Sequence, residues 1–136
     1  MRNPSFKGMS AAVFTGLILS AAVIIAMCVI PKRLICSLYD ENKDSVRMAI
    51  ELAEAEQNEK ALPIIKEVMD NIEAKKKSLM FFFDHNDVVA LSGAAGTAYE
   101  LAQTDDPAQL IAELRDIEKS FEFLIHTNGF SIYNIL

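Results

Sequence analysis

From Met9 to Ile30 the chain carries no charged side chain, and at Pro31 the pattern changes. The run reads MSAAVFTGLILSAAVIIAMCVI. A helix of that length, rising about 1.5 Å per residue, covers roughly 33 Å, enough for a bilayer core. Pro31-Lys32-Arg33 closes the run, and no Ala-x-Ala site stands at its end. The pattern predicts an uncleaved single-pass transmembrane helix rather than a removed signal peptide. Beyond it the apolar residues recur at helical spacing, and no useful stretch of strand-like alternation appears.

The clearest downstream stripe is Leu110, Leu114, Ile117, Phe121 and Leu124, whose steps of four and three keep all five on one helix face. Asp106 suits the N-cap, Pro107 the first helical position, and Gln109 completes a capping-box pattern. Gly129 is placed for a left-handed C-cap. The preceding helix is expected to start between Asp84 and Asn86 and to end near Gln103. From Val88 to Tyr99 it has no charge, and Gly93, Ala94, Ala95, Gly96 and Ala98 are all small. A helix apolar nearly all round is normally buried, so this one is expected at the centre of the body.

A third stripe, Leu62, Ile65, Met69, Ile72, Leu79 and Phe83, is interrupted by Lys76. That lysine is expected either to pair with Asp84 or Asp87, or to extend its ammonium out to water. A weaker stripe, Val46, Ile50 and Ala53, predicts a helix from about Asp40 to Gln57. Pro63 either starts the second helix or kinks one long helix. EQNEKALP favours a turn around Asn58, hence two helices. The expected architecture is all-α: a transmembrane helix followed by an antiparallel four-helix bundle or a repeat-like helical array. The boundaries read from sequence are a short basic N-terminus at 1–8, the anchor at 9–31, a juxtamembrane linker at 32–39 and an acidic helical domain at 40–136.

Charge sharpens this division. Residues 1–33 hold Arg2, Lys7, Lys32 and Arg33 and no acid, whereas 34–136 hold all 19 acids against nine bases. So acidic a domain repels phosphate backbones, which excludes a nucleic-acid partner. The basic N-terminus favours a cytoplasmic amino end with the helical domain outside. Ala12, Gly16 and Ser20 share one face of the anchor at four-residue spacing, a pattern that can pair membrane helices and make a homo-oligomer.

Catalytic constellations are missing. There is no Gly-x-Ser-x-Gly elbow, P-loop, dinucleotide fingerprint or His-Glu-x-x-His. Cys28 and Cys36 both lie in or beside the apolar run, so neither a thiolate zinc site nor a Cys–His pair is available to the acidic part. The chain is expected not to be an enzyme and to need no cofactor. The richest local chemistry is the corner MFFFDHNDVVAL, with one of the two histidines. Asp84, His85 and Asp87 are expected to lie at the same end as Glu122 and His126, where they could hold a divalent ion or sense pH. Asp84 and Asp87 also suit helix capping, the commoner use of acids at a helix start. Phe81 and Phe82 are candidates for contact with the membrane interface or a partner, and Lys75 to Lys77 for anionic lipid. The apolar ending FSIYNIL, with Phe130 and Tyr133, either folds back over the bundle or docks another protein.

The layout of one anchor and about a hundred helical residues, the FFFDHNDV corner, the closing helix LIAELRDIEKSFEFLIHTN and the ending SIYNIL together resemble the domain-of-unknown-function 4363 family of small bacterial membrane proteins. The resemblance covers most of the chain. It implies a bacterial cell membrane and a membrane-protein partner, but no mechanism. The function expected from sequence is thus an interaction or accessory module for another membrane protein. The alternative is an ion- or pH-sensing bundle built on His85 and His126.

Overall fold

The computed structural model describes residues 11–127, which form four helices and, among the described residues, no strand. Helix α1 spans Ala11–Glu54, α2 Asn58–Phe82, α3 His85–Leu101 and α4 Pro107–Thr127. Gly129, Phe130 and Tyr133, singled out above, lie outside the described residues, as do Arg2, Lys7 and the first two residues of the apolar run.

The first helix departs most from the expected pattern. It runs 44 residues without a break, through Pro31 and through the expected linker at 32–39. The reason lies in its buried positions: Pro31, Ile35, Leu38, Asn42, Val46, Ala49 and Ala53 make one stripe with steps of three and four. Two turns of the expected linker thus belong to the core, through Ile35 and Leu38. Polar Asn42, in the middle of the stripe, hides this periodicity from a purely apolar search. Pro31 has no N–H to give the Met27 carbonyl, yet the helix continues past it.

The α1–α2 turn is a Schellman motif. The Gln57 N–H donates to the Leu52 carbonyl (2.8 Å) and the Glu56 N–H to the Ala53 carbonyl (3.0 Å). Glu56 occupies the left-handed position, with φ of 56°. Glycine is favoured there because a Cβ crowds the following carbonyl. Replacing Glu56 with glycine is therefore expected to stabilise the protein by about 1 kcal/mol. Urea unfolding of the detergent-solubilised chain would measure it, and an unchanged or lower midpoint would contradict the assigned cap. Pro63 neither starts α2 nor bends one long helix: α2 begins five residues earlier, and Pro63 sits exposed in its second turn.

The other two turns are capped as the sequence leads one to expect. Phe83 is extended, and the Asn86 N–H donates to Asp84 Oδ1 at 2.8 Å, starting α3. The Gln109 N–H donates to Asp106 Oδ1 at 3.0 Å, and Pro107 opens α4. At the far end of the molecule Asn58 Nδ2 donates to the Thr104 carbonyl at 3.1 Å, tying the start of α2 to the α3–α4 turn.

Helix α1 packs on α2 and α4, and α3 packs on the same two. One hydrophobic cluster joins them, with Leu79, Leu91, Leu114 and Phe121 among its fully buried members. All five residues of the α4 stripe are buried. Helix α3 is not central. Val88, Leu91, Ala95 and Ala98 point inward, but Val89, Ala90, Gly93 and Thr97 are exposed. A Cβ at Gly93 or Gly96 would meet nothing within 4 Å, so close approach of a neighbouring helix does not explain these glycines. Absence of charge made α3 look buried all round; its side chains are small enough to leave one face uncovered at little cost.

Candidate functional site

The FFFDHNDV corner joins α2 to α3, and three elements position it. Phe81, the last residue but one of α2, is 75% exposed, with its ring edge-on to Phe82 at 4.8 Å. Phe82 and Phe83 are half-buried, and Phe83 packs against the core. His85 is the first residue of α3 and is exposed, while Asp87 is half-buried in the first turn. A short turn joins α3 to α4 and the two pack along each other, so Glu122 and His126, near the end of α4, lie toward the same end as His85. Tyr39 of α1, whose ring meets Phe121 at 5.7 Å, is also near this end.

Proximity at one end does not make a coordination sphere. Asp84 is engaged as the α3 cap, and Glu122 and His126 are exposed on α4. Asp87 lines a shallow groove with Ala90, Lys119, Ser120 and Phe123. Among the described residues no group of three His, Cys, Asp or Glu side chains is placed to hold one metal ion.

The polar side chains that helices share are elsewhere, and sequence reasoning missed them. Between α2 and α3, Lys76 Nζ donates to Ser92 Oγ (2.8 Å) and to Glu73 Oε1 (3.0 Å), and the Ser92 hydroxyl donates to Glu73 Oε1. Lys76 thus pairs with neither Asp84 nor Asp87. Its partners are one turn back on its own helix and across the seam on α3. The Ser92 hydroxyl bond, then that of Lys76, holds the Glu73 carboxyl below its ordinary range. A lowered folded-state pKa stabilises the protein above the unfolded carboxylate range, and that contribution is lost as pH falls through the folded value. Glu73→Gln is accordingly expected to flatten part of the acid limb of the stability–pH profile below about pH 4.5 and to leave its shape near neutrality unchanged. Thermal unfolding across that range would check it, and an acid limb as steep as the parent's would refute it.

Between α1 and α2, Asn71 Nδ2 donates to Asn42 Oδ1 (3.0 Å), and Asn42 Nδ2 donates to the Leu38 carbonyl (2.7 Å). Asn42 is 1% exposed, so these bonds offset the cost of burying its amide. They also mark which levels of α1 and α2 meet. The available signal was a polar residue four positions from an apolar one on each side: Leu38, Asn42, Val46.

On α1, residues 11–30 are almost wholly exposed, including Ala12, Gly16 and Ser20. Ser20 Oγ donates to the Gly16 carbonyl and Thr15 Oγ1 to the Ala11 carbonyl, each at 2.8 Å. Both hydroxyls are satisfied by carbonyls of their own helix. Cys28 and Cys36 are free thiols on one face, two turns apart, with Lys32 between them. By length and composition α1 is long and apolar enough to cross a membrane, and its apolar window is wholly outside the protein core.

No family model, curated protein or solved structure matches the chain.

Proposed function

We propose that the chain is a non-enzymatic, single-pass bacterial membrane protein whose helical domain serves as an interaction or accessory module for another membrane protein. Its amino end is cytoplasmic and its helical domain lies outside. The observation that carries this is the first part of α1: some twenty uncharged, mostly apolar residues that no other described residue covers, continuous with a helix of the core. An apolar surface of that size has no stable place in water, and its length matches a bilayer core. The packing of α1 on α4 supports a closed antiparallel four-helix bundle over an open repeat-like array. The resemblance to the domain-of-unknown-function 4363 family supports the same location.

A module reading follows from what the helical domain offers. It presents shallow surface grooves and exposed side chains, Val89 and Phe123 among them. The test is crosslinking in cells from a photoreactive residue at Val89 and another at Tyr133, with the products identified by mass spectrometry. One dominant heterologous membrane protein is expected at one of these positions. Capture of no protein, or of this chain alone, would overturn the accessory role.

A further inference from the structure

The Asn42–Asn71 bond sets the register between the first two helices. Helix α2 runs back along α1 from the turn at 55–57, and both rise about 1.5 Å per residue. Ten residues beyond Asn71 on α2 is Phe81; ten residues before Asn42 on α1 is Lys32. Phe81 is therefore level with the end of the apolar run, within a turn of Ile30. The burial of Pro31 agrees, since neighbouring helices must reach that level to cover it.

This places a large, exposed aromatic beside the point where α1 leaves its apolar stretch. The surrounding charges fit the same boundary. Lys77 lies one turn before Phe81 on the same face of α2, and Lys32 and Arg33 are exposed on α1. None of the three makes an ion pair among the described residues. Of the corner's two acids, Asp84 is the cap of α3 and Asp87 is half-buried in its first turn. An apolar ring beside cations suits the boundary between lipid headgroups and acyl chains, where the ring enters the acyl side and Lys and Arg meet the phosphates.

We propose that the α2–α3 corner is a second membrane contact, with Phe81 seated at the headgroup–acyl boundary and Lys77, Lys32 and Arg33 on lipid phosphates. This rests on the transmembrane reading of α1. Because α1 has no break between its apolar part and the core, the span and the Phe81 contact together hold the helical domain against the bilayer in one orientation. The occupant of the exposed corner is thus lipid, and a protein partner uses other faces.

The chain has no tryptophan, so single-tryptophan variants report one position each. Three full-length variants, Phe81→Trp, Ile18→Trp and Gln103→Trp, would be reconstituted into phosphatidylcholine–phosphatidylglycerol vesicles carrying quenchers either near the headgroup or deep in the acyl chains. All three positions are exposed, so each accepts the ring without repacking the core. The expected result is loss of Phe81→Trp fluorescence to the shallow quencher, loss of Ile18→Trp fluorescence chiefly to the deep one, and none for Gln103→Trp. If Ile18→Trp is quenched and Phe81→Trp behaves like Gln103→Trp, the corner contact is refuted and the transmembrane span stands. If Ile18→Trp escapes the deep quencher, the span itself fails, and the corner proposal with it.

Discussion

Phe121→Ala is expected to lower the unfolding free energy by about 3–5 kcal/mol, the usual cost of emptying a buried phenylalanine site. Phe121 is 1% exposed, the largest of the fully buried side chains, and its ring meets Tyr39 edge-on across the α1–α4 seam. Removing it takes away transferred area, leaves a cavity, and deletes an aromatic pair worth about another 0.5–1.5 kcal/mol. Total stability of a domain this size is about 5–15 kcal/mol, so the loss is a large share of the whole. Phe123→Ala is the control: two positions along, on the opposite face and 51% exposed. It is expected to change stability far less, as surface substitutions usually do. Denaturant unfolding in detergent, followed by far-ultraviolet circular dichroism, compares them. Equal losses from the two would mean that α4 does not bury the face described.

Leu17→Asp combined with Ala21→Asp is expected to move the chain out of the membrane fraction. Each aspartate near the middle of a span costs about 2.5–3.5 kcal/mol on the insertion scale. Two together offset most of what the apolar run contributes. Both positions are exposed and outside the core, so the helical domain should unfold at the same denaturant concentration as the parent. Carbonate extraction of cell membranes reads the first effect and unfolding of the solubilised protein reads the second. A double variant that still resists extraction would sink the transmembrane assignment. The contrast with Phe121→Ala is that the apolar run is expected to change membrane retention without changing folding stability, and Phe121 the reverse.

Much of the helical layout was legible from local signals. A cap is a bond between residues two or three apart, so Asp84 and Asp106 with Pro107 announce the starts of α3 and α4 by themselves. The α4 stripe reads correctly because all five of its positions are large and apolar. The α1 stripe was half-hidden because Asn42 and Pro31 stand where apolar residues are sought. That concealment turned two turns of core helix into an expected linker. At the candidate site, the exposed Phe81 and His85 were placed by the corner they flank. The partners of Lys76 were not, because Ser92 is sixteen residues away and looks like one more small residue in an uncharged helix.

What the sequence determined by itself is the apolar run, the helical periodicities and the caps, all of which arise between residues within about one turn of each other. What only the tertiary structure decided is which faces meet. It set Asn42 opposite Asn71, drew Lys76 and Glu73 to Ser92, left one side of α3 uncovered, and carried α1 unbroken into the core. The physical reason is that spacing along a helix states which residues share a face. A buried amide or ammonium must take its partner from whatever helix packs against that face, and that neighbour is fixed by the fold of the whole chain.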